Sequence, residues 1–324
     1  MEFCPGIYEY AAALIMRRPW DVSRSRDLLV AAHAEAWRLY GQRWIVVGVD
    51  VYNIEPEALG AVVGEPPGNS VPAIVEHPFS RLGEMERLPA FRAEAARIPL
   101  VLGAASDLSA LCKGADVRVP VCGPLALAGG LLGVENLLVG LMDDPDSAAR
   151  LIGGLIAHQT GYLRAIKDAG VRPIVFESGV TPPLLPVSMF EEIEAPLLRR
   201  LFDEAEGLFG ERPPCIIGGD AAPIARAFLE AGPGYVIAPS ETDQGAFLAA
   251  AAAHPEIHVR VNLPAAHLVS TPWEDLERDA IPAMALAATR ANTSVGCGVV
   301  PFETDPRLLL RLRDFIQQPQ PTHP

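Results

Sequence analysis

Cysteine is scarce and scattered in this chain: the five residues, Cys4, Cys112, Cys122, Cys215 and Cys297, include no CxxC pair. An odd, dispersed set argues against a disulfide framework or a zinc ribbon and fits a reducing cytoplasm. Positive charge is also short, with 26 Lys and Arg against 40 Asp and Glu and a formal net charge of -14. The resulting field repels phosphate backbones and anionic lipid heads, so neither nucleic acid nor a membrane surface is expected as a partner. No apolar run approaches the ~20 residues that span a bilayer. The opening MEFCPGIYEYAAALIMRRPW carries Glu2 and Glu9 and has no basic leader before its short apolar patch, so it is not expected to act as a signal peptide. There is no P-loop, HExxH, Ser-His-Asp set or GxGxxG after the first strand, which removes the commonest nucleotide, metalloprotease and hydrolase readings.

What the 324 residues do contain is a regular alternation. Short β-branched or apolar runs at 43–49, 117–122, 171–176, 214–217, 234–238, 257–261 and 294–299 are separated by Ala- and Leu-rich stretches of helical character. Those stretches fall at about 24–40, 133–140, 144–168, 189–209, 221–231, 243–253, 273–290 and 305–316. Strands alternating with helices indicate βα units and a parallel sheet. Seven strands, with an eighth expected near 72–76, favour a closed (β/α)8 TIM barrel over a doubly wound sheet, as one domain over 1–324. The segment 61–100, with Pro66, Pro67, Pro72, Pro78, Pro89 and Pro99, is expected to be an insertion or lid, because repeated prolines resist a continuous helix. The tail QQPQPTHP is expected to fray.

In an α/β barrel, chemistry sits at the carboxyl ends of the strands. The residues there are Asp50 and Asn53 after the first run, Cys122 after the second, Glu177 and Ser178 after the third, and Gly218, Gly219 and Asp220 after the fourth. Glu241 and Asp243 follow the fifth, Arg260 and Asn262 belong to the sixth, and Cys297 lies in the last. Carboxylates gathered at one mouth repel one another, which raises pKa values or calls for a cation, so an acid/base or metal site is expected. The competing reading for each is a cap on a neighbouring helix or a bond to loop amides. His77, in the Pro-rich segment, is a candidate facing the mouth from the lid. His33, His158, His254, His258 and His267 are expected in the core or on the surface.

The segments CGPLALAGGLLGVENLLVGLMDDP (122–145), VFESGVTPPLLPVSMFEEIEAPLLRRLF (175–202), CIIGGD (215–220) and VGCGVVPFETDP (295–306) together resemble the uroporphyrinogen decarboxylase superfamily. That superfamily includes methyltransferases that move methyl groups between corrinoid proteins and coenzyme M or tetrahydrofolate, and the resemblance implies a (β/α)8 barrel and a homodimer. The decarboxylases carry an RQAGR-type stretch for a tetrapyrrole with many carboxylates. Here the region reads ALIMRRPWDVSRSRDLL, which lacks it. The coenzyme M enzymes hold zinc through a His-x-Cys pair and a distant Cys; the pair aligns with Ile216 and Gly218, and only Cys297 matches, so the orthodox zinc site is absent and any metal is unknown.

The resemblance therefore implies a methyltransferase-like enzyme of the zinc-free kind, taking a small molecule such as tetrahydrofolate, with cobalamin as co-substrate and a corrinoid protein as partner. Glu177 and Asp220 are the expected catalytic acid/base residues. Asp50, Asn53, His77, Ser178, Gly219, Glu241, Asp243, Arg260, Asn262 and Cys297 are the expected substrate-binding set. Two alternatives stand beside it: a decarboxylase of a tetrapyrrole or smaller acid in which Arg260 holds a carboxylate, and a non-catalytic ligand-binding barrel.

Overall fold

The computed structural model describes residues 1–179 and 181–318. Its strands are β1 (Phe3–Gly6), β2 (Trp44–Val46), β3 (Val62–Gly64), β4 (Ala73–Glu76), β5 (Asp116–Cys122), β6 (Arg172–Glu177), β7 (Pro214–Ile217), β8 (Tyr235–Ala238), β9 (His258–Leu263) and β10 (Thr293–Val299). Eight of them form one parallel sheet in the order β1-β10-β9-β8-β7-β6-β5-β2, wrapped by helices into a nearly closed (β/α)8 barrel. The two edge strands, β1 and β2, meet across a seam without ladder hydrogen bonds.

The strands read as continuous apolar runs because both of their faces are covered, one by the lumen and one by helices. Val117, Val119 and Val121 of β5 are all buried, as are the residues that alternate with them. The helices carry the local signals that their chemistry demands. Arg26–Tyr40 starts at Ser25, whose side chain accepts from the Leu28 amide at 3.3 Å, buries Leu29, Ala32, His33, Ala36 and Tyr40 on one face, and stops at Gly41 in the left-handed conformation (φ 61°). Pro145–Asp168 and Pro306–Gln317 open with an Asp cap followed by Pro at the first helical position. His33 is a core histidine: its Nε2 accepts the Gly48 amide at 3.1 Å, and burial pushes its pKa down to about 4.

All seven strands expected from the sequence are barrel strands, but the eighth is not where it was expected. Ala73–Glu76 pairs antiparallel with Val62–Gly64 in a two-stranded ribbon outside the barrel. The missing barrel strand is the four-residue Phe3–Gly6, interrupted by Pro5 and irregular in register at its end. Such a short run has no periodicity to read, and tertiary pairing with β10 makes it a strand. The Pro-rich segment is the insertion it was expected to be, with the ribbon, a 3-10 turn at Leu82–Arg87 and, from Ile98, the start of a regular helix. Residues 319–324 of the expected frayed tail lie outside those described.

No single helix among the described residues is long and apolar enough to cross a membrane. The helices Pro124–Leu132 and Val134–Asp143 pass such a test only as a pair, and they bend by 112°. The first of them is packed into the core through Leu125, Leu127, Ala128, Leu131 and Leu132.

Candidate active site

A cavity of about 550 Å³ opens at the carboxyl ends of the strands. Its walls are the rings of Tyr8, Tyr52 and Phe176, with Tyr8 and Tyr52 each edge-on to Phe176 at 5.5 Å. Its floor is Arg260, and Val71 and Pro72 of the Pro-rich insertion reach its rim. An apolar cavity of this size with a few directed polar groups is the usual form of a small-molecule site.

The polar groups come from short segments just past the strands. Asp50 is buried and receives two parallel bonds from Arg97, Nη1 and Nη2 each at 2.8 Å. Arg97 also pairs with Glu57, which in turn pairs with Arg24. Fork-to-carboxylate geometry fixes Asp50 rigidly in the wall. Asn53 donates both of its amide hydrogens, to Asp50 Oδ2 at 3.1 Å and to the Pro72 carbonyl at 2.7 Å. That leaves its Oδ1 as an acceptor. Asn262 has the opposite commitment: its Oδ1 accepts from Arg260 Nε at 2.9 Å, so its amide hydrogens remain to be given.

Arg260 is 5% exposed and lies across the lumen. Its bonds go to neutral oxygens, Asn262 Oδ1 and the Cys4 carbonyl at 3.2 Å. Its titratable neighbours are Tyr235, Tyr8, Cys4 and Cys297, all of which burial keeps protonated, and no carboxylate among the described residues pairs with it. Gly296 makes room for it: a Cβ there would stand 2.6 Å from Arg260 Cδ and 2.2 Å from the Cys4 carbonyl oxygen. Glu9 lines the cavity beside Tyr8, and burial pushes its carboxyl up to about 7.

Of the expected residues, the cavity brings together Asp50, Asn53, Ser178, Glu241, Arg260 and Asn262. Both expected catalytic residues lie elsewhere. Phe176 faces the cavity, so Glu177, one residue on, faces outward, because side chains alternate along a strand. There it caps helix Pro124–Leu132, accepting from the Ala126 amide at 3.3 Å, against Gly123, whose hypothetical Cβ would clash with it at 1.9 Å. Glu177 is buried beside Glu194, and desolvation pushes both carboxyls up. Asp220 is exposed and accepts from the Thr242 hydroxyl at 2.6 Å.

Four expected binding residues are displaced as well. Asp243 caps helix Gln244–Ala251 through the Ala246 amide at 2.9 Å. His77 is exposed and bonded to the Gly130 carbonyl at 2.9 Å, which pins the ribbon to the barrel and keeps the ring off the cavity wall. Gly219 takes a left-handed turn (φ 68°) under Thr181 and Pro182, and its neighbour Gly218 forms the wall instead. Cys297 stands opposite Leu263 in the ladder and turns with it away from the lumen; burial pushes its thiol up to about 11. With Cys297 turned away and Ile216 and Gly218 at the other aligned positions, these residues do not fit the zinc site of the coenzyme M enzymes.

Sequence reasoning missed Tyr8, Glu9 and Tyr52 as wall residues. The first two follow the unrecognised strand β1. Tyr52 sits between Asp50 and Asn53 and was within reach of the same strand-end argument.

An eight-stranded parallel barrel with its concave, aromatic-walled cavity at the carboxyl ends of the strands has the architecture of a TIM-barrel enzyme. The sequence matches the uroporphyrinogen decarboxylase (URO-D) family over residues 6–318, and the chain belongs to that family. A comparison with curated proteins finds no match. Among solved structures, the fold is similar to that of a methyltransferase from Methanosarcina mazei, with a TM-score of 0.78 at 15% identity, covering 97% of this chain and 93% of that one. At that identity the likeness is one of fold.

Proposed function

We propose that the chain is a methyltransferase-like enzyme that moves a methyl group between a corrinoid, carried by a partner protein, and tetrahydrofolate or a similar small acceptor. The observation that carries this reading is the pairing of an acceptor from Asn53 with a donor from Asn262 across an aromatic-walled cavity. That arrangement suits a flat heterocycle whose edge offers a donor and an acceptor. Family membership and the fold of the methyltransferase neighbour support the same class.

The roles follow from the geometry. Tyr52 and Phe176 present ring surface to the heterocycle, Asn53 and Asn262 orient its edge, and Asp50, clamped by Arg97, holds Asn53 in place. A methylated ring nitrogen must gain a proton to leave as a neutral amine, and methylation in the other direction releases one. Glu9 is the cavity carboxyl for this step, since a group titrating near 7 gives and takes protons efficiently at neutral pH. It takes the place of Glu177 and Asp220, which lie off the cavity.

The test is methyl transfer between methylcobalamin and tetrahydrofolate, followed for the wild type and Glu9→Gln. The expected loss in the variant is ~10²- to 10⁴-fold, with disappearance of the ionisation near pH 7. Absence of transfer, or transfer indifferent to Glu9→Gln, would overturn the proposal.

Arg260 favours a second reading, decarboxylation of a small acid. A buried guanidinium without a carboxylate partner is matched by the carboxylate of a substrate. Carbon dioxide released from a small carboxylic acid without methyl transfer, and lost in Arg260→Met, would select it.

A further inference from the structure

The mouth of the barrel carries charge of one sign. The segments that run from the eight barrel strands to the next helical turn are 7–9, 47–53, 123, 178–186, 218–221, 239–243, 264–266 and 300–305, and they contain Asp and Glu but no Lys or Arg. Three of these carboxylates are already committed, Asp50 to Arg97, Asp305 to Arg307 and Asp243 to the Ala246 amide. Glu9, Asp220, Glu241 and Glu303 have no ion-pair partner among the described residues. Glu9 and Glu241 line the cavity itself, and Glu303 stands close to Glu9: burial first, and then the Glu303 charge, push the Glu9 carboxyl up to about 7.

Positive charge enters only at the floor, where Arg260 is the one Lys or Arg among the described residues that line the cavity. A guanidinium is a planar fork with Nε and Nη2 on one edge and Nη1 away from it. Nε of Arg260 donates to Asn262, which borders the mouth cavity and not the space below it, while Nη1 turns to the Cys4 carbonyl. Nη2 therefore lies on the edge that meets the mouth. It makes no hydrogen bond among the described residues and is not sealed from the lumen. The amide hydrogens of Asn262 beside it are also uncommitted.

Donors at the floor and carboxylates at the rim polarise the cavity along its depth. A ring that offers an oxygen lays that edge on Arg260 Nη2 and the Asn262 amide, so a substituent on its far side emerges toward Glu9 and Glu241. A carboxylate there would stand among unpaired carboxylates on a chain whose formal net charge is -14. An ammonium there would be paired by them.

We propose that the small-molecule substrate at the mouth is a heterocycle whose side chain is cationic rather than carboxylate-bearing, and that Glu241 selects that side chain. The inference rests on the reading of the mouth as the site of the small methyl acceptor, and it narrows that reading: the ring is of the tetrahydrofolate kind, and the anionic glutamyl tail of a folate is disfavoured.

The experiment is calorimetric titration of the full chain, without oxygen, with three tetrahydropterins that share one ring and carry a methyl, an aminoethyl or a carboxyethyl group. The aminoethyl compound is expected to bind at least about tenfold more tightly than the carboxyethyl compound, since one contact between unit charges in water is already worth about fivefold and the two side chains differ in sign. Glu241→Gln should cut that ratio severalfold, and Glu241→Lys should cut it further. Glu256→Gln removes the same charge at the amino ends of the strands and should leave the ratio unchanged, which separates a contact at the rim from the field of the whole chain. If none of the three compounds saturates the protein, the small-acceptor reading of the mouth falls and the proposal with it. If they bind but the carboxyethyl compound equals the aminoethyl one, or the ratio is unmoved by Glu241→Lys, the reading of the mouth stands and the proposal is overturned.

Discussion

Replacing Glu55 by glutamine should flatten the pH dependence of stability by a predictable amount. Glu55 is 1% exposed at the start of the short helix Ile54–Ala58; its Oε2 accepts the Cys122 amide and its Oε1 has no partner. Desolvation pushes the carboxyl from 4.5 up to about 8. The folded protein therefore holds this proton more tightly than the unfolded chain. The stability associated with it is fully present below about pH 4.5 and is lost as pH rises through about 8. Applied to those two values, linkage gives a loss of about 3 kcal/mol between about pH 5.5 and 8.5. Glutamine keeps the shape and the acceptor but carries no titrating proton. Urea unfolding of wild type and Glu55→Gln at the two pH values gives four free energies. The variant should gain about 3 kcal/mol relative to wild type on going from the lower to the higher pH. Glu9, Glu177 and Glu194 titrate in the same direction but cancel in the difference. A wild-type-minus-variant difference that is the same at both pH values would refute the reasoning.

Glu177→Gln should leave turnover at the mouth unchanged and should stabilise the protein most at alkaline pH, since it removes one of two buried carboxyls facing each other outside the barrel; a thermal melt series over pH alongside the methyl-transfer assay checks both. Arg97→Met strips the partner from buried Asp50 and should cost about 3–5 kcal/mol in chemical unfolding, with loss of ligand affinity as Asn53 is released. Gly296→Ala forces a methyl against the Cys4 carbonyl and the Arg260 stem, so it should cost about 1–3 kcal/mol and weaken binding at the mouth. Calorimetric titration of a ligand at the mouth reads the second effect.

Much of the architecture is legible in the sequence. Alternating apolar runs and capped helices led to the parallel barrel, and strand-end polarity led to Asp50, Asn53, Ser178, Glu241, Arg260 and Asn262. The sixth run was the most informative, because Arg260, Val261 and Asn262 alternate polar, apolar, polar, and both polar residues face the lumen.

Elsewhere the strand's phase was hidden. Residues 171–176 are almost uniformly apolar, so nothing in them says whether Glu177 or Ser178 looks inward, and a shift of one residue exchanges the two faces. The same ambiguity misplaced Cys297 beside the lumen-facing Gly298. Glu9 went unrecognised because β1 is too short to show a pattern, yet pairing with β10 carries the following loop to the mouth.

Sequence by itself determined the alternation of elements, the caps and the kinds of polar group available, because those depend on neighbours a few residues away. Tertiary structure alone decided which carboxyls are catalytic candidates and which are caps, and that Arg260 is buried with neutral oxygens and no carboxylate as its partners among the described residues. These depend on strand phase and on contacts between residues as distant as Cys4 and Arg260, and no local pattern encodes either.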